Sequence, residues 1–165
     1  MPTSTIVVRQ VTPEDLPDFL RLLEGKADFD GVRSTLKATL ENLRAELFAP
    51  SPATRAVIAV KGTETVGMAT YYDTFSSFLM KPGIWLDDLF VLAEHRKSGV
   101  GRALLAWLCR EAVAHGCARI DWTVAAENDN GRGFYVQMGA TISEVVRLAR
   151  LNEVAIRKLA DETPE

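Results

Sequence analysis

The run from Trp85 to Leu105, WLDDLFVLAEHRKSGVGRALL, concentrates the side chains of this 165-residue chain whose types and spacing suit chemistry. Its basic, glycine-bearing hexapeptide Arg96-Lys97-Ser98-Gly99-Val100-Gly101 follows an apolar strand pattern and opens an amphipathic helix. A strand that turns through glycines into a helix aims several backbone N–H groups at one anion, and the helix dipole adds partial positive charge there. Arg96, Lys97 and Arg102 add whole charges, so a phosphate or pyrophosphate is the natural occupant. Two familiar phosphate loops are excluded. No Gly-x-x-x-x-Gly-Lys-Ser/Thr run exists, and after Gly99 and Gly101 the third position of a dinucleotide fingerprint is Leu104. The strand ahead of the turn carries Asp87 and Asp88, carboxylates able to bind an ammonium group and to take its proton. Successive strand residues face opposite sides, so one of the two is expected at a given amine nitrogen.

The elements that position these groups read as follows. Ile6 to Arg9 is a short strand, and Thr12-Pro13-Glu14-Asp15 starts a helix whose buried face is Leu16, Phe19, Leu20 and Leu23 and which Gly25 ends. Leu36, Leu40, Leu43 and Leu47 place a second helix over about Val32 to Phe48, with Phe29-Asp30 in the connection. Arg55–Val60 and Thr65–Tyr72 form a hairpin across Lys61-Gly62-Thr63-Glu64, and Ile84–Leu92 is a central strand. Val100, Ala103, Leu104, Trp107 and Leu108 are the sheet-facing stripe of the next helix. Ala118–Val124 is a strand, Asn128–Met138 a short helix stopped by Gly139, Ile142–Ala149 a last strand, and a short helix follows. This is α/β (α+β) content on a mixed, mostly antiparallel sheet of six to seven strands with helices on both faces.

Composition narrows the partners. A net charge of −3 with no second basic stripe argues against nucleic acid, and no apolar stretch approaches a membrane span. The first residues lack a signal peptide's basic and apolar regions, and Cys109 and Cys117 have neither metal-site spacing nor disulfide density. A cytoplasmic protein with reduced thiols is expected, and no metal site.

Arg-x-x-Gly-x-Gly after a strand resembles the acetyl-CoA pyrophosphate loop of the GCN5-related N-acetyltransferases. A second motif strengthens the resemblance: Asp121-Trp122-Thr123-Val124 and Asn128, then Phe134-Tyr135 on a short helix ending at Gly139-Ala140. With Tyr71-Tyr72 and the acidic-pair strand, the chain is most similar to the diamine (spermidine/spermine and thialysine) branch. The resemblance implies one acetyltransferase domain over residues 1–165, with an acetyl-CoA core at about 84–140, acting as a homodimer. It implies acetyl transfer to the primary amine of a small molecule (a diamine, polyamine or lysine-like compound) by direct attack in a ternary complex. The rival acceptors are a protein N-terminus or an aminoglycoside, and a non-catalytic acyl-CoA sensor is the rival class.

Site roles follow from the same resemblance. Arg96 to Arg102 hold the diphosphate, and the pantetheine arm pairs beside Leu89, Phe90 and Val91, where a backbone N–H faces the oxyanion. From the residues themselves, the Asn128 amide is placed to cap the short helix or to bond the pantetheine, and the helix cost of Gly131 points to close approach of the donor or to local fraying. Asp87 falls on the family's base, Tyr135 on its general acid, and Asp88, Phe29 and Asp30 on its amine pocket. The branch has Glu where this chain has Asp87 and Tyr-Glu where it has Phe29-Asp30; Ser76 stands at an acidic position and Phe78 at a Trp. Each Glu-to-Asp change shortens a side chain by one methylene, so the pocket is similar in kind with altered reach.

Overall fold

Val57, Ile58 and Ala59, like Val66, Met68 and Ala69, are fully buried in consecutive or near-consecutive positions. Strands with this pattern are covered on both faces, and the computed structural model, which describes residues 5–161, shows the cover. The described residues hold one sheet of five strands in chain order: β1 (Ile6–Gln10), β2 (Arg55–Lys61), β3 (Glu64–Ser76), β4 (Lys81–Val91) and β5 (Ile120–Asp121). The first four are antiparallel, and β5 runs parallel to β4. Gly62 takes φ +67° in the β2–β3 turn, a conformation that glycine adopts without steric cost.

Helix α1 (Leu16–Phe29) buries Leu16, Phe19 and Leu22 against Ile58, Met68 and Phe90. Each such side chain contributes about 1.5–3 kcal/mol. Helix α3 (Val100–Ala114) buries Val100, Leu104 and Leu108 on the other face. The opposition is visible at adjacent residues of β3: Met68 belongs to the α1 cluster, while a Cβ on Gly67 would meet Val100 and Leu104. On the α3 face Tyr71 sits edge-on to Trp107 at 5.9 Å, with the Arg55 guanidinium 4.8 Å from its ring.

The chain divides into two compact units, Met1–Thr123 and Val124–Glu165, and the sheet lies in the first. The second unit holds α4 (Asp129–Gln137) and α5 (Glu153–Ala160). Asn152 caps α5 by accepting from the Ala155 N–H at 2.9 Å.

Several boundaries differ from the sequence reading. Helix α1 passes through Gly25 and ends at Phe29, so Phe29 belongs to the helix and Asp30 is its C-cap. Gly25 serves close packing instead of termination, since a Cβ there would lie 2.9 Å from the Phe90 ring. The second helix, α2, spans only Leu40–Leu47. Leu36 is extended, and Thr39 and Asn42 form a reciprocal cap that sets the start. Strand β3 reaches Ser76, so residues 73–76 extend the strand and pair with the start of β4 in a long hairpin. Strand β5 keeps two residues of the seven expected. The strand expected at 142–149 is absent among the described residues: the Ser143 hydroxyl accepts from the Val145 and Val146 N–H groups at 3.4 and 3.2 Å, turning the chain where a strand would pair. Five strands therefore stand where six or seven were expected, within the same fold class.

Candidate active site

The geometry begins with an interruption of the β3–β4 ladder. Thr70 pairs with Asp88 and Tyr71 with Leu86, so Asp87 is an extra residue with nothing opposite it, a β-bulge. A bulge breaks the strict alternation of faces. Asp87 and Asp88 consequently line the same cavity, correcting the expectation that they point apart. Thr70 holds the bulge in shape. Its hydroxyl donates to Asp88 Oδ2 at 3.0 Å and accepts the Asp88 N–H at 3.1 Å.

The cavity has a volume of about 570 Å3 and lies among α1, α2, β3 and β4. Phe19, Leu23, Leu36, Leu43, Leu47 and Tyr72 make its walls, an apolar container with the two aspartates on one side. Burial pushes the Asp88 carboxyl above the ordinary aspartate range; Lys26 pulls it down and Asp87 pushes it up again.

Lys26, one turn beyond Leu23 on α1, is the group that the motifs did not flag. Its ammonium pairs with Asp30 and stands 3.7 Å from Asp88 Oδ1. The two acids assigned to the substrate's cationic ends thus share a resident cation. The i, i+4 spacing of Lys26 and Asp30 was the one local signal for it. Phe29, the neighbouring candidate, lies 6.5 Å from Phe90 by ring centroids.

Just ahead of the bulge, β4 and β5 separate. They pair only at Ile84–Ile120 and Trp85–Asp121, so the β4 edge from Leu86 to Val91 has no strand neighbour on that side among the described residues. This edge, which includes Leu89, Phe90 and Val91, suits an extended polar chain that pairs like a strand.

Beyond it the chain turns into α3 through Lys97 (φ +60°) and Gly99 (φ +90°), left-handed residues of the kind that gather N–H groups around an anion. Gly99 is the N-cap of α3, which has no side-chain cap and no acid in its first turn. The first amides of a helix have no partner within it. The Val100 and Gly101 N–H groups, with Lys97 and Arg102 nearby in sequence, therefore fit a diphosphate. The Ser98 hydroxyl donates to the His95 carbonyl at 2.7 Å and braces the turn. Arg96 is placed differently from its neighbours. Its Nε donates to the Val91 carbonyl at 3.0 Å, and its guanidinium lies 4.9 Å from the Phe29 ring and 5.7 Å from the Phe90 ring. Its side chain ties the turn to β4 and α1. Nearby, Glu64, Glu94 and His95 each bring one ligand atom within 4.8 Å of the others, a surface grouping that sequence spacing does not reveal.

In the second unit, Asn128 caps α4, its Oδ1 accepting the Gly131 N–H at 2.9 Å. A Cβ at Gly131 would lie 2.5 Å from Asn128 Nδ2, so the folded-back amide accounts for this glycine. Tyr135 packs against Phe134 with centroids 5.2 Å apart, and burial raises its phenol above the ordinary tyrosine value.

The sequence profile of the Acetyltransferase (GNAT) family matches residues 20–140. L-ornithine N5-acetyltransferase NATA1 of Arabidopsis thaliana is 29% identical over 157 residues, which cover 94% of this chain and 65% of that longer protein. Thialysine N-epsilon-acetyltransferase of Caenorhabditis elegans is 28% identical over 155 residues, 92% of this chain and 95% of the relative. Among solved structures, the integron cassette protein VCH_CASS6 of V. cholerae superposes with a TM-score of 0.77 at 23% identity, covering 95% of this chain and 98% of its own. This chain belongs to the acetyltransferase (GNAT) family and is an N-acetyltransferase whose co-substrate is acetyl-CoA.

Proposed function

We propose that this chain acetylates the primary amine of a small molecule by direct transfer in a ternary complex. The observation that carries the reading is the bulge that turns Asp87 into an apolar cavity beside the open edge of β4. Relatives named for ornithine and thialysine, each a small amine, support it. The donor supplies an acetyl thioester.

The acceptor enters as ammonium, because an alkylamine with pKa near 10.4 is almost wholly protonated at neutral pH. Asp87 binds that cation and takes one proton, directly or through a water, leaving a neutral nitrogen lone pair. The nitrogen attacks the acetyl carbonyl carbon, and an N–H of the β4 edge near Val91 steadies the oxyanion. As the carbon–sulfur bond breaks, the Tyr135 hydroxyl gives its proton to the thiolate, and the remaining surplus proton of the attacking nitrogen leaves through solvent, which reprotonates the phenolate. A buried phenol whose pKa is raised stays protonated at neutral pH, as a proton donor must. The backbone of the Lys97–Gly101 turn and the cations of Lys97 and Arg102 hold the diphosphate, and Arg96 fixes the turn. The reading takes residues 1–165 as one acetyltransferase domain, cytoplasmic and homodimeric.

The test is CoA release over a panel of alkylamines, diamines, amino acids and aminoglycosides, with Asp87→Asn and Tyr135→Phe as controls. Release with a small primary amine that both substitutions suppress supports the reading. Release with aminoglycosides alone, or with no amine at all, refutes it.

A further inference from the structure

The charge around the cavity is less available to a substrate than a count of acids suggests. Three carboxylates line it, those of Glu46, Asp87 and Asp88. Glu46 accepts the Ala53 N–H at 2.6 Å through Oε1. Asp88 accepts the Thr70 hydroxyl and faces the Lys26 ammonium at 3.7 Å. Of the three, the Asp87 carboxylate alone has no side-chain hydrogen bond or ion pair with another described residue. Asp30, outside the lining, is held by the same ammonium. The Lys26 side chain, like Asp30, is outside the lining; it is 20% exposed and meets the cavity through its pairing with Asp88. The rest of the wall is mostly hydrocarbon. A second substrate ammonium would lose its hydration there without gaining a carboxylate of its own.

We propose that Lys26 is a specificity-determining residue: its ammonium fills the second acidic position, so the cavity selects a primary amine bearing one positive charge and an apolar alkyl or arylalkyl body, against diamines and polyamines. This deepens the proposed function and rests on it. Asp87 receives the one reacting ammonium, and the leucine and phenylalanine wall receives the body. Removing the resident cation would leave Asp30 and Asp88 as an uncompensated acidic pair, which a distal ammonium of the substrate could then satisfy.

Hexylamine and 1,6-diaminohexane differ only by the second amine, and phenethylamine and spermidine extend the comparison. We would measure kcat/KM for all four with the full chain and saturating acetyl-CoA, for the wild type, Lys26→Met and Lys26→Arg. Methionine keeps the length and the apolar stem; arginine keeps the charge. The wild type is expected to favour hexylamine and phenethylamine. Lys26→Met should shift the hexylamine-to-diaminohexane ratio toward the diamine by about tenfold or more, with the KM for acetyl-CoA unchanged as the check on folding, and Lys26→Arg should keep the wild-type ratio. An unchanged ratio in Lys26→Met overturns the role given to Lys26, and a wild type that prefers the diamine overturns the substrate class. CoA release with none of the four amines overturns the acetyl-transfer reading itself, and this inference with it.

Discussion

Replacing Gly67 with alanine tests whether the turn proposed to hold the diphosphate is kept in place from beneath. Gly67 pairs with Val91 across the β3–β4 ladder and lies under the first turn of α3. A Cβ there would stand 3.0 Å from the Phe90 carbonyl oxygen, 3.0 Å from Val100 Cγ1 and 3.3 Å from Leu104 Cδ1, where ordinary contact begins near 3.4 Å. One of these obstacles is backbone, and the other two belong to fully buried side chains, so none yields easily. Overpacking of this kind costs about 1–3 kcal/mol. The loss of glycine's freedom in the unfolded chain returns about 0.4–1 kcal/mol. The net expectation is a loss of about 1–2 kcal/mol, which at a urea slope of about 2 kcal/mol/M lowers the midpoint by about 0.5–1 M. The easiest relief is for the first turn of α3 to lift away from β4, carrying the Val100 and Gly101 amides with it. The KM for acetyl-CoA should therefore rise severalfold while kcat at saturation changes less. Urea unfolding followed by circular dichroism and initial rates of CoA release give both numbers. A variant as stable as the wild type with an unchanged KM would refute the reasoning, because α3 would then have room that the distances deny.

The remaining predictions concern the site and its framework. Asp87→Asn should lower kcat by about 10²–10⁴-fold, the range of general-base catalysis, and leave the KM for acetyl-CoA unchanged in steady-state assays. Tyr135→Phe should lower kcat by about 10²-fold or more and abolish any high-pH limb in the kcat profile that belongs to the phenol. Asp15 accepts from Thr12 N at 2.8 Å and from Arg9 at 2.5 and 2.9 Å, and the Arg9 guanidinium holds its carboxyl well below the usual range. A depressed carboxyl contributes stability above its unfolded pKa of about 3.9, and loses it as pH falls below that value. Asp15→Asn should thus cost about 2 kcal/mol at pH 7, with the difference shrinking below about pH 4 in urea melts at stepped pH.

How much of this was legible beforehand depended on the range of the interactions concerned. The Arg96–Gly101 turn, the α3 stripe of Leu104 and Leu108, and the Asn128 cap are set by residues within a turn or two of each other. Steric rules, periodicity and capping chemistry act over that distance, so the amino-acid order alone determined them, and with them the family. The shape of the proposed acceptor site was decided elsewhere. Asp87 and Asp88 look alternate in a strand, and only their partner strand, by pairing Thr70 with Asp88 and Tyr71 with Leu86, makes Asp87 the bulged residue and brings both acids to one cavity. Gly25 reads as a helix stop until the Phe90 ring is found against it. Lys26 reads as a surface lysine beside Asp30 until the sheet brings up Asp88 from the far half of the unit. Strand register and helix–sheet contact depend on the simultaneous packing of segments distant in sequence, so only the tertiary structure could decide which charges meet.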